Sequence, residues 1–148
     1  MSASASPSPA ALGFESAQSG GTTLTFTAVP AGSLIYVAWV SNTPVTGVAS
    51  DVSGAFTLDQ TDLLAGYIYS GAHFLRLLAG GTHVVTITQA GTDGIVSAGI
   101  VYSGVLSYHS HSTVGNGFGT VATSPNVTPA SAGQLAIGVV MWPTATDA

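Results

Sequence analysis

The chain has 148 residues, one arginine and no lysine, six acids and a net charge of −5, a length that suits a single domain. Charged residues make up 5% of it, against about 25% in an ordinary soluble domain. One cation cannot neutralise a run of phosphates, which excludes nucleic-acid binding and electrostatic attachment to an anionic membrane. No apolar run approaches the ~20 residues of a membrane span, and the absence of cysteine removes disulfides and thiolate metal sites.

In chain order, residues 1–11 begin MSASASPSP and read as a flexible or extended Ser/Ala/Pro arm with nothing to bury. They lack the basic segment and apolar stretch of a secretory signal. Residues 12–148 are expected to form one domain. A first strand is expected over 10–18, with Leu12, Phe14 and Ser16 on one face, broken by Gly20-Gly21. Residues 22–28, TTLTFTA, alternate cleanly, which places Leu24 and Phe26 inward and the threonines outward. After the turn Val29-Pro30-Ala31-Gly32, residues 33–41, SLIYVAWVS, form a strand with both faces largely apolar.

Two short strands are expected over 45–49 and 55–61, around Asp51-Val52-Ser53-Gly54. Residues 66–78 carry leucines that suit a helix, but Gly66, Gly71 and the Tyr67/Tyr69 alternation favour a strand, with a bulge at Ser70-Gly71. Residues 82–89, THVVTITQ, put Val85 and Ile87 inward. The turn Gly91-Thr92-Asp93-Gly94 leads into 95–105, IVSAGIVYSGV. A short apolar run bounded by turn residues predicts a strand buried on both faces. Residues 106–123 are glycine-rich and polar, and 134–142, QLAIGVVMW, predict a second buried strand stopped by Pro143.

Eight or nine short strands with turn-punctuated spacing and no helix predict an all-β fold, an antiparallel β-sandwich or jelly roll. So little charge leaves few residues to blunt sheet edges, which favours edges and faces that are covered by neighbouring subunits.

The order of pieces resembles a family of small β-sandwich domains found in tailed-phage structural proteins and in bacterial surface or secreted proteins. The similarity lies in the Thr-rich strand followed by Pro30-Ala31-Gly32-Ser33 and an aromatic–apolar strand. It continues in GGTHVVTIT over 80–88, Val101-Tyr102-Ser103-Gly104-Val105, Thr123-Ser124-Pro125 and the terminal GQLAIGVV. It covers about residues 12–142. The resemblance implies a structural or adhesive role with no catalytic residue set and no cofactor. A lone domain without a signal favours the virion members of the family. The expectation is then a non-enzymatic virion protein of a bacteriophage, assembled in the host cytoplasm. It would be a capsid decoration protein or another small head or tail component. By the same analogy it would be a homo-oligomer, a trimer in the simplest case, bound to a major capsid or other virion protein. The alternatives are a carbohydrate-binding or adhesion module that takes a surface glycan, and a subunit of an extracellular filament.

Among candidate sites, His109 and His111 are an i, i+2 pair that points both imidazoles one way in an extended segment, but a zinc site needs a third and usually a fourth ligand. A solvated pair is the simpler reading. Asp59 and Asp62 have the composition of a glycosidase carboxylate pair, yet two aspartates near a turn more often bond backbone amides. Trp39 and Trp142 sit in the two most apolar strands and read as core. Tyr67, Tyr69 and Tyr108 are the aromatic candidates for an exposed interaction patch, and Arg76, the sole Lys or Arg, is expected to pair with an aspartate or a neighbouring subunit. The Asn126-Val127-Thr128 sequon is followed by Pro129 and is discounted.

Overall fold

A computed structural model describes residues 13–64, 68–76, 79–105 and 135–138. Among them lie nine strands and no helix: β1 Gly13–Gly20, β2 Thr23–Val29, β3 Leu34–Ser41, β4 Val45–Ser50, β5 Gly54–Ala55, β6 Thr57–Leu64, β7 Ile68–Arg76, β8 Gly81–Gln89 and β9 Ile95–Ser103. They make two antiparallel sheets, one of five strands in the order β1-β9-β3-β7-β6 and one of four in the order β2-β8-β4-β5. This is the all-β sandwich that the turn-punctuated sequence predicts.

The core fills the space between the sheets. Leu24, Phe26, Val48, Val85 and Ile87 from the four-stranded sheet meet Ile35, Val37, Trp39 and Val101 from the five-stranded one. Each such side chain stabilises the fold by roughly 2 kcal/mol through burial. The alternation in β2 is as the sequence reads: Leu24 and Phe26 are buried, and Thr23, Thr25 and Thr27 are exposed. Two glycines leave room for aromatic rings, Gly99 for Phe26 of the facing sheet and Gly71 for Trp39 of the neighbouring strand. A Cβ on Gly99 would stand 2.6 Å from Cζ of Phe26, and one on Gly71 would stand 2.5 Å from Cζ2 of Trp39 and 2.7 Å from the Gln60 carbonyl. The turn between β1 and β2 is pinned by the Ser97 hydroxyl, which donates to the carbonyls of Gly20 at 3.2 Å and Gly21 at 2.6 Å.

Several expectations are corrected. Phe14 and Ser16 do not share a face, because β1 is irregular between them: Phe14 pairs with Tyr102 and Ser16 with Val101, whose side chains point to opposite faces. The strand expected over 55–61 is divided at buried Phe56 into β5 in one sheet and β6 in the other. β7 runs regularly through Ser70-Gly71, and the irregularity lies on its neighbour β6, between Leu58 and Gln60. Gly71 is small to admit the Trp39 indole, not to form a bulge. β9 is central in its sheet, between β1 and β3, yet it is buried on one face only. Ser97, Gly99 and Val101 face inward and are buried, whereas Val96 is 71% exposed. Its even-numbered side chains are apolar, but the second sheet covers only the odd-numbered ones. Of the run 134–142, only residues 135–138 are described. They form no strand, and Leu135 and Ile137 are half-buried while Ala136 and Gly138 are exposed.

Candidate functional site

Strand pairing brings together three polar links that are far apart in the sequence. In the first, Trp39 and His73 both point inward from neighbouring strands β3 and β7. The indole N–H donates to Nδ1 of His73 at 3.2 Å, within the buried interior. Nδ1 accepts only while the ring is neutral. Burial pushes the His73 pKa below its ordinary value, and the negative charge of Asp59 partly opposes that shift. Both the bond and the burial therefore favour neutral His73.

The second link joins Ser50, at the end of β4, to His83 in β8, with the Ser50 Oγ 2.9 Å from Nδ1 of His83. Nε2 of the same ring lies 3.3 Å from the Ala79 carbonyl. A carbonyl only accepts, so Nε2 carries the proton, and in the neutral ring Nδ1 accepts from the serine hydroxyl. Ser50 Oγ also accepts from the backbone N–H groups of Val52 and Ser53, each at 3.3 Å. A serine and a histidine in contact have the geometry of a nucleophile and its base. Here His83 is 0% exposed, Ser50 is buried, and every lone pair and proton of the pair is engaged within the fold. The arrangement caps the 51–53 turn and gives a substrate no approach.

The third link shapes the outer face of the five-stranded sheet, which points away from the core. The Tyr36 hydroxyl donates to Oδ2 of Asp59 at 2.7 Å. Tyr36 is on β3 and Asp59 on β6, with β7 between them, so the two strands are about 10 Å apart. The Tyr36 side chain therefore reaches across β7. Ala38 and Ala72, on the same face and turned away from the core, are buried as well, at 3% exposed each. The other half of the face, on β1 and β9, is left open. Phe14 is 60% exposed and meets Tyr102 edge to face with ring centroids 5.6 Å apart. Val96 and Ala98 are exposed toward the other end of β9.

The sequence candidates are placed as follows. Tyr69 is half-buried and packs against the core, so it is not part of an exposed patch. Arg76 is exposed at the end of β7, in register with Leu34. Asp59 accepts from Tyr36, and Oδ1 of Asp62 accepts the N–H of Leu63 at 2.8 Å. Both carboxylates therefore hold hydrogen bonds within the sheet. Trp39 is core, 1% exposed. Tyr67, Tyr108, His109, His111, Asn126 and Trp142 lie outside the described residues. Among the described residues, no three His, Asp or Glu side chains gather into a group able to hold a metal ion.

The sequence reading missed His73, Ser50, Phe14 and Val96. The signal for Val96 was available: the even-numbered positions of 95–105 are apolar, and the second sheet covers only the odd-numbered ones.

Comparison of the chain with family models, with curated proteins and with solved structures gives no match. The resemblance to phage and bacterial surface domains therefore rests on the motifs alone.

Proposed function

We propose that the protein is a non-enzymatic structural component of a bacteriophage particle, a capsid decoration protein or a related small head or tail protein. The observation that carries this reading is the outer face of the five-stranded sheet. It is mostly apolar, and its open half, on β1 and β9, exposes Phe14 and Val96 at 60% and 71%. Large exposed apolar patches on a soluble domain mark interaction surfaces. The buried polar groups Trp39, His73, Ser50 and His83 hold the scaffold together through hydrogen bonds to one another and to the backbone, as suits a rigid building block. In this role the sandwich covers junctions between shell subunits and stabilises the assembled lattice by binding it in preference to free subunits.

The first test is the solution mass of the full-length protein by size-exclusion chromatography with light scattering. A discrete symmetric oligomer is expected. A monomer at every concentration contradicts the homo-oligomeric part of the proposal, and an open-ended polymer points instead to a filament subunit.

A further inference from the structure

We infer that the Trp39–His73 and Tyr36–Asp59 links form one acid-sensitive latch on the edge strand β6, closed while His73 is neutral and released when its ring takes up a proton.

The first half of the latch is the indole bond. Nδ1 of His73 accepts the Trp39 N–H at 3.2 Å within the buried interior. A protonated imidazole carries a donor on both nitrogens, so the two N–H groups then face each other and the indole loses its acceptor. Trp39 has no room to turn toward another. It is 1% exposed, and its ring lies so close to Gly71 that a Cβ there would stand 2.5 Å from Cζ2. Leaving a buried donor unsatisfied costs more than a made hydrogen bond contributes, so a proton on His73 disfavours the closed arrangement.

The second half is Asp59. The titratable groups on the elements around His73 are Asp59 and Asp62 on β6, Tyr36 on β3, Tyr69 and Arg76 on β7 itself, and His83 on β8, with Asp51 in the turn after β4. Burial lowers the His73 pKa, and the charge of Asp59 is what opposes that shift. The same carboxylate accepts the Tyr36 hydroxyl at 2.7 Å, which ties β6 to β3 across β7. A proton on His73 therefore removes the acceptor from Trp39 and at the same moment places a positive charge near the carboxylate that Tyr36 holds. One titration acts on both links.

The element that responds is β6. It is the outermost strand of its sheet, bonded to β7 alone among the described strands. Its ladder is interrupted between Leu58 and Gln60, and Leu58 is the residue in register with His73. Leu58 and Leu63 are 50% and 46% exposed, so burial contributes little to holding the strand. Segments of this kind open locally at a fraction of the global free energy. β6 is the two-state element that the proton biases.

The experiment follows hydrogen exchange of the full-length chain by NMR between pH 7.5 and 4.5, with Trp142→Phe assigning the Trp39 indole resonance. After correction for the intrinsic effect of pH on exchange, protection of the Trp39 indole N–H and of the β6 amides is expected to fall about tenfold relative to β2 and β8. His73→Gln is expected to keep it level, since a glutamine carbonyl accepts from the indole and does not titrate. Protection that falls equally in His73→Gln overturns His73 as the trigger. Protection lost in every strand together is global unfolding and overturns the latch. Asp59→Asn is expected to move the transition to lower pH, and an unmoved transition overturns the coupling of the two links. Should a variant fail to fold, the wild type still shows its indole resonances, and indole signals that stay fixed across this pH range overturn the proposal.

Discussion

Replacing Gly71 with alanine tests the packing of the five-stranded sheet at its tightest point. The added methyl would stand 2.5 Å from Cζ2 and 3.0 Å from Cε2 of Trp39, and 2.7 Å from the backbone carbonyl of Gln60. The carbonyl belongs to the neighbouring strand β6 and cannot rotate away. The indole is held by its bond to His73, so moving it breaks that bond as well. Overpacking of a core costs about 1–3 kcal/mol, and with one neighbour fixed in the backbone and the other tethered, the expected loss is about 3 kcal/mol. For a chain of this size that lowers Tm by roughly 10 °C. Urea unfolding followed by tryptophan fluorescence reads the change directly. Gly47→Ala is the control, since a Cβ there meets nothing within 4 Å and its φ is not positive. It should stay within about 0.5 kcal/mol of wild type. If Gly71→Ala is as stable as Gly47→Ala, the account of Trp39 lying on Gly71 is wrong.

Two further predictions concern the buried histidines. The folded-state pKa of His73 is lowered, so the folded chain binds a proton there less readily than the unfolded one. Its contribution to stability is complete above about pH 6.5, the unfolded value, and is lost as pH falls from there through the lowered folded pKa. His73→Gln should reduce the fall in urea midpoint between pH 7.5 and pH 5; an unchanged slope contradicts the assignment. Ser50→Ala leaves Nδ1 of His83 and the N–H groups of Val52 and Ser53 without the hydroxyl that serves all three. It should cost about 2 kcal/mol and speed amide exchange at residues 51–53, and exchange rates that match wild type would show that the turn does not depend on the cap.

What the sequence made legible was whatever depends on alternation within one strand. The Leu24/Phe26 pattern, the inward Val85 and Ile87 and the burial of Trp39 need only a period of two and a strong apolar signal. What stayed hidden depends on which strands are neighbours. Trp39 and His73 are 34 residues apart, and Ser50 and His83 are 33 apart; nothing local in either segment announces its partner. Gly71 shows the same limit. A glycine in a strand reads equally well as a bulge or as room for a facing side chain, and only the register with Trp39 decides. The two-sided apolar character of 95–105 was legible, but its meaning was not: one side faces the second sheet, and the other is a surface. The aromatic candidates chosen from sequence fared unevenly for the same reason, with Tyr69 turned toward the core while Phe14 stands in the open.

The central claim, membership of an assembled particle, is tested most directly by expressing a tagged full-length chain in the source host, purifying particles on a density gradient and assaying each fraction. The account predicts that the chain co-sediments with intact particles in a fixed stoichiometric ratio, and that Val96→Glu/Ala98→Glu weakens that association. Recovery of the wild-type chain only in the soluble fractions, with particles free of it, would contradict the account.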